Sequence, residues 1–402
     1  MLSARPAGSV LDLSAVLGLT AVAVTGAARR DVAPTAIQFV FTSDAHYGLT
    51  RATFRGAHDV DAAQVNAALV ASVNRLREVR FPLDGGLRAG AVVGGLDFVA
   101  EGGDIANREE VAAGHAMQPA SRSWAQFVHD YVDNLRATDA AGEPTRLFVV
   151  PGNHDASNAV GFYKPMQPRV DYRALISIYN LMVKPPHPLT AATFNYARDR
   201  VFFSRDVGGV HFQFLHIWPD SAMRERMAAD IQGLATDTPV VVFTHDQPDV
   251  EAKHFINPNG SHDINPTDQF ENLLADSLPD GTSVDLPTTK AQQQLESFLE
   301  QHRNVTAYFH GNSNWHQAYE WNGPRHTARL HAFRVDSPMK GAVSADDERR
   351  LSFQVVTIDP VRRTMTVREC LWNAQAAERT TVAWGDSVTV TLEPRPKSLG
   401  SS

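Results

Sequence analysis

The chain predicts an α/β sandwich closed by antiparallel strands. Apolar, β-rich runs alternate with amphipathic helical stretches as far as about Ala328. From there onward the pattern is strand-only. Strands alternating with helices, then a run of strands, suit sheets covered by helices and finished by antiparallel strands. Four of the apolar runs also lead straight into short polar stretches rich in Asp, Asn and His.

The elements follow in order. Ile37 to Thr42 (IQFVFT) reads as a strand ending just before Asp44. Val65, Leu69, Val73 and Leu76 share one helical face. Pro82, Gly85 and Gly86 mark a loop. Leu96 to Ala100 is the next strand, leading into Gly102-Gly103-Asp104. Trp124, Phe127, Val128, Tyr131 and Leu135 form the apolar stripe of a helix. Leu147 to Val150 runs into Pro151-Gly152-Asn153-His154-Asp155. Val201 to Ser204 and Val210 to Leu215 read as strands joined through Gly208-Gly209, and Met223 to Leu234 as a helix. Val240 to Phe243 leads into Thr244-His245. Residues 249–288 are rich in Asn, Asp, Pro and Gly, an insertion of the length used for functional lids. Thr289 to Gln301 is helical, and Val305 to Phe309 leads into His310-Gly311. The closing strands are Leu330 to Val335, Phe353 to Ile358, Met365 to Leu371 and Val388 to Leu392. One domain is expected over 31–375, with 376–402 a last strand and tail.

Composition narrows the function. Apolar residues are 43 % and charged residues 20 % of 402, which fits a soluble globular body. The net charge of −8 argues against a nucleic-acid or anionic-membrane partner, which would favour a basic face. Cys370 is the only cysteine, so an intrachain disulfide and a Cys₂ or Cys₄ zinc site are excluded. Residues 1–30 resemble a secretory signal: Leu13 to Val24 is uncharged and mostly apolar, and Gly26-Ala27-Ala28 supplies small residues. Arg5 is the only basic side chain ahead of that run, and Asp12 adjoins it. Export, periplasmic or secreted, is therefore expected, with a disordered or helical extension on a cytoplasmic protein as the alternative. The run is too short to span a bilayer, and no later run approaches a transmembrane helix.

The polar stretches carry the chemistry. Open α/β sheets bind ligands at their carboxyl edge, where these residues sit. Asp44 and His46 are two apart, so on an extended segment both face one ion. Asp104 follows a glycine pair that permits a tight turn, and a carboxylate there can bridge two cations. Asn153 offers an amide oxygen and His245 an imidazole. Mixed N/O ligation suits Zn, Mn, Fe, Co or Ni better than Ca or Mg.

In order and spacing, these motifs resemble the calcineurin-like metallophosphoesterase family from about Ile37 to Ile358. The resemblance implies a four-layer α/β/β/α sandwich and two divalent transition metals. Asp44, His46 and Asp104 would hold the first metal, and Asp104, Asn153 and His245 the second. His154 would be the catalytic histidine at the leaving group, with Asp155 orienting it or capping the next segment. The implied reaction is hydrolysis of phosphomonoesters or phosphodiesters by in-line attack of a metal-bound hydroxide. A small-molecule or lipid-headgroup phosphate ester is the expected substrate. Asn107 stands where the purple acid phosphatases of the superfamily carry a tyrosine, so an iron–tyrosinate centre is not expected. Arg108 stands where protein phosphatases carry a phosphate clamp, and the two residues are candidates for substrate binding. The departure comes at Gly311-Asn312-Ser313-Asn314, where the family has Gly-His-x-His. Asn312 and Asn314 are then candidate metal ligands, with His310 or His316 as substitutes. A mononuclear enzyme, or a non-catalytic binder of phosphate ligands or partners, is the alternative reading. His58, His254 and His262 are expected to be solvated loop residues, whereas His211 and His216, along or just after a strand, are expected to pack or hydrogen-bond.

Overall fold

In the computed structural model, residues 36–107, 118–157, 173–258, 270–278, 288–375 and 381–395 are described. The N-terminal segment read as a signal, Arg108, His262 and the tail beyond 395 lie outside them. Fourteen strands and six helices fall within them. The strands are β1 (Ile37–Thr42), β2 (Thr50–Phe54), β3 (Ala57–Asp61), β4 (Phe98–Glu101), β5 (Arg146–Val149), β6 (Phe202–Val207), β7 (Val210–Leu215), β8 (Val240–Phe243), β9 (Val305–His310), β10 (Gln317–Trp321), β11 (Leu330–Arg334), β12 (Ser352–Asp359), β13 (Thr364–Leu371) and β14 (Ala383–Thr391). The helices are α1 (Ala62–Arg75), α2 (Ala120–Phe127), α3 (Asn153–Ser157), α4 (Arg173–Val183), α5 (Ser221–Ile231) and α6 (Thr289–Gln301).

Two six-stranded sheets form, in the orders β14-β13-β12-β1-β4-β5 and β10-β11-β9-β8-β7-β6. β1, β4 and β5 run parallel, as do β7, β8, β9 and β11. Antiparallel β12, β13 and β14 complete the first sheet beyond β1. The sheets face each other through phenylalanines. Phe39 of β1 lies 5.6 Å from Phe243 of β8 and 5.5 Å from Phe309 of β9, and Phe98 of β4 lies 5.2 Å from Phe212 of β7. β1, β4, β7, β8 and β9 are buried along their whole length, so their outer faces need cover, and the crossover helices supply it. This is the helix–sheet–sheet–helix layering expected.

Three features depart from the sequence pattern. The apolar stripe from Trp124 to Leu135 does not stay one α-helix: after α2, Val128–Asp133 is a π segment. There buried Asp130 accepts a hydrogen bond from Tyr47 Oη at 2.7 Å, beside the Asp44–His46 turn. The hairpin β2–β3 and the edge strand β10 are largely exposed and show no apolar run to read. Arg55 and Gly56 join β2 to β3, both at positive φ, the two-residue turn that matches strand twist. Finally, β11 joins the second sheet parallel to β9 rather than continuing the antiparallel run. Among the described residues no helix is long and apolar enough to cross a membrane.

Candidate metal centre

Parallel strands end together, so the polar residues after β1, β4, β5, β8 and β9 gather at one edge. The backbone turns sharply there. Asp44, His46, Asp104, Asn312 and Asn314 all adopt left-handed φ, at 59°, 41°, 57°, 62° and 62°. Non-glycine residues rarely do so, and such strain clusters at functional sites. Asp44 and His46 therefore converge through a turn, not through the extended segment that their spacing suggests. Asp44 N and His46 N donate to Gly103 O and Asp104 O, both at 2.8 Å, which joins the first two motifs. Two glycines make room for carboxylates: a Cβ on Gly152 would collide with Asp104 Oδ1, and one on Gly311 with Asp44 Oδ2.

Asp104 is the hinge of the site. Its Oδ2 lies 3.5 Å from His46 Nε2 and 3.8 Å from His154 Nε2, and its Oδ1 lies 3.4 Å from His245 Nε2. His46 Nε2 is 3.6 Å from Asp44 Oδ1, and His245 Nε2 is 3.2 Å from Asn153 Oδ1. Two ligand groups share Asp104: His46, Asp104 and His154, and Asp44, Asp104 and His245, each with ligand atoms within 4.8 Å of one another. His245 Nδ1 faces Gly102 O at 2.8 Å, which leaves Nε2 as the donor.

The electrostatics fit cations. Burial and the charge of Lys340 push the His46 imidazole down, toward its neutral, ligating form. Burial works against ionising Asp104 and protonating His245. Their mutual attraction outweighs it, holding Asp104 well below and His245 well above their usual ranges. The carboxylates here thus require a positive charge, which a bound cation would supply in place of the His245 Nε2 proton. Asp44 Oδ1, His46 Nε2 and Asn314 Oδ1 are buried without a hydrogen-bond partner, a costly arrangement in a polar cluster unless a cation completes it. The donor set of carboxylates, imidazoles and amides fits a pair of divalent transition ions.

The other predicted residues divide. Asn312 gives its backbone N–H to Asp44 Oδ2 at 3.0 Å, while its Nδ2 turns to Gln247 and Glu251. Asn314 Nδ2 donates to Asn312 O at 2.8 Å, leaving Oδ1 as the orphaned acceptor. Neither flanking histidine fills the gap. His310 is committed to Gly311 O and Tyr319 Oη, and His316 meets Gln354 and lies in a separate group with Glu369 and Asp386. Asp155 does not orient His154. Its carboxylate accepts the N–H groups of Ile105, Ala106 and Gly152 at 2.9–3.1 Å, so it staples the two loops that carry Asp104 and Asn153. Asn107, 7 % exposed, is turned into the protein and donates its backbone N–H to Tyr47 O. His254 is buried, not solvated, with Nδ1 2.6 Å from Asp246 Oδ2.

Lys340 is the residue that sequence reading missed. Its ammonium lies 3.3 Å from His154 Nε2. The turn that carries it is fastened by Ser337 Oγ, which accepts from Met339 N and Lys340 N and donates to Asp44 O. A lysine in a loop far from every motif carries no local signal.

No protein-family model matches the chain, and no curated protein does. It is similar to several solved structures. A dimetal phosphatase from Danio rerio is 11 % identical at a TM-score of 0.45, with 89 % of this chain and 99 % of that one covered. A 5'-nucleotidase precursor from Thermus thermophilus is 10 % identical at a TM-score of 0.35, over 90 % of this chain and 56 % of the other, so the chain spans about half of that enzyme. The calcineurin-like phosphoesterase YfkN from Bacillus subtilis is 10 % identical at 0.33, over 89 % and 90 %. At such identities none of these likenesses assigns a residue of this site.

Proposed function

We propose that this chain is a metal-dependent hydrolase of phosphate esters. The observation that carries it is the sharing of Asp104 between two ligand groups, one oxygen toward His46 and one toward His245. Asp44, His46 and Asp104 would hold one ion, and Asp104, Asn153 and His245 the other, with Asn314 Oδ1 the amide oxygen left to add. Such ions neutralise phosphate oxygens and activate water.

The chain's own residues supply the rest. His154 is the most open of the gathered imidazoles, with 15 % of its side chain exposed, and so faces incoming substrate. Lys340 gives it a cationic neighbour. An ammonium and an imidazole in contact attract an anionic ester and can hold a proton at the leaving oxygen. Asp155 keeps the Asp104 and Asn153 loops in register. A small-molecule or lipid-headgroup ester as substrate, and export of the protein, belong to the same proposal.

A mononuclear centre is the second reading, favoured because the second sheet contributes one imidazole and two amides. The test is metal content per chain with hydrolysis of p-nitrophenyl phosphate and bis-p-nitrophenyl phosphate, under Mn, Zn, Fe, Co and Ni in turn. Two ions and metal-dependent turnover support the proposal, and the monoester/diester ratio narrows the substrate. One ion with full turnover supports the second reading. Neither metal nor turnover sinks both.

A further inference from the structure

The insertion after β8 is built into the metal centre through two glutamates. Its described parts, 249–258 and 270–278, are stitched together: Glu271 N donates to Lys253 O at 2.7 Å, Leu273 N to His254 O at 2.8 Å, and Ile256 N to Asp276 O at 3.0 Å. Phe270, Leu273, Leu274 and Leu278 are buried. This packing carries Glu271, itself fully buried, to the back of Asn153, where Oε2 accepts Nδ2 at 3.2 Å. Glu251 Oε1 does the same for Asn312 Nδ2 at 3.1 Å. Buried His254 stands between the two glutamates, with Nε2 3.9 Å from Glu251 Oε2 and 3.9 Å from Glu271 Oε2.

The chemistry of an amide gives these contacts their meaning. A carboxamide can offer a cation either its oxygen or its nitrogen end, and only the oxygen ligates. A carboxylate is acceptor-only, so it holds the NH₂ end and forces Oδ1 the other way. For Asn153 that other way is toward His245 Nε2, 3.2 Å off. The negative charge also polarises the amide and strengthens its oxygen as a donor. We propose that Glu271 is a positioning residue of the metal centre, fixing Asn153 as an oxygen ligand, and that Glu251 restrains Asn312 in the same manner. The proposal rests on the reading of Asn153 as a ligand of the second ion.

The test is Mn(II) binding to the full-length apoprotein by equilibrium dialysis, with folding checked by circular dichroism. Glu271→Leu is expected to weaken one of the two binding events by about 10–100-fold, the usual scale for an orienting partner. Glu271→Gln keeps the volume and one acceptor oxygen, and its loss should fall between wild type and Leu. The deciding step is a double-mutant cycle with Asn153→Ala, run on the Gln variant in case the Leu variant does not fold. If Glu271 acts through Asn153, its replacement in the Asn153→Ala background changes affinity by no more than about twofold. Undiminished effects in that background, or wild-type affinity in a folded Glu271→Leu protein, overturn the proposal. Wild-type protein that binds no Mn(II), or an Asp104→Asn variant that binds it unchanged, overturns the metal centre itself and this inference with it.

Discussion

At its carboxyl edge the first sheet supplies Asp44, His46, Asp104 and Asn153, whereas the second supplies His245 and the amide pair Asn312 and Asn314. The first set is tied together largely within itself, with one hold from the insertion, that of Glu271 on Asn153. Its loops are tied by backbone bonds and by the Asp155 staple, and its carboxylates press against Gly152 and Gly311. The second set is held from outside. Asn312 leans on Gln247 and Glu251, and Asn314 on the Asn312 backbone. The insertion reaches both sets, bracing Asn153 through Glu271 and Asn312 through Glu251, but the first is also closed by its own backbone bonds, whereas the amides of the second depend on such props.

The largest expected effect would break this comparison at its shared member. Asp104→Asn should strip both ions and lower kcat by roughly 10³-fold or more, since several kcal/mol of charge stabilisation go with them. Retention of the His245-side ion would mean that the second sheet holds metal by itself. Next comes His154→Asn, expected to lower kcat by about 10²- to 10⁴-fold with metal content unchanged, the range for a lost proton-transfer group. Metal loss in that variant would move His154 into the ligand set. Lys340→Met is a smaller perturbation. It should raise KM for an anionic ester by about 10–100-fold, the worth of one hydrogen bond to a charged group, and leave metal content unchanged. An unaltered KM would confine Lys340 to bracing His154.

The same division decides what was legible beforehand. β1, β8 and α6 have the limits their apolar patterns announce, because strands buried on both faces show as unbroken runs. The first-sheet motifs are legible because each sits directly behind such a run. The convergence of Asp44 and His46 was anticipated for the wrong cause, since left-handed backbone is invisible in residue spacing. Glu271, His254 and Lys340 reach the site by long-range packing, and their local sequence has no strand or helix period that would place them. Asn312 and Asn314 were visible as a departure, but what holds Asn312 lies about 60 residues back at Gln247 and Glu251.

The smallest effect on the site should come from a bond on β13, two strands from β1 in the first sheet. Arg368 of β13 has a fully buried side chain and grips Asp84 with two bonds, Nε to Oδ2 at 2.7 Å and Nη2 to Oδ1 at 3.0 Å. The pair holds the Asp84 carboxyl well below the usual range, chiefly through those hydrogen bonds. Asp84→Asn should cost roughly 2 kcal/mol at pH 7, less than a fully enclosed pair because 14 % of the Asp84 side chain stays exposed. A carboxyl whose folded pKa is depressed stabilises fully above its unfolded value of about 3.9, and the contribution fades as pH falls toward the folded one. Urea midpoints of wild type and variant should therefore differ steadily from pH 7 down to about 4 and draw together below it, with Mn(II) affinity equal throughout. A gap that persists into acid would assign the loss to packing around Arg368. A change in Mn(II) affinity would mean that the first sheet's edge is less self-contained than its staples imply.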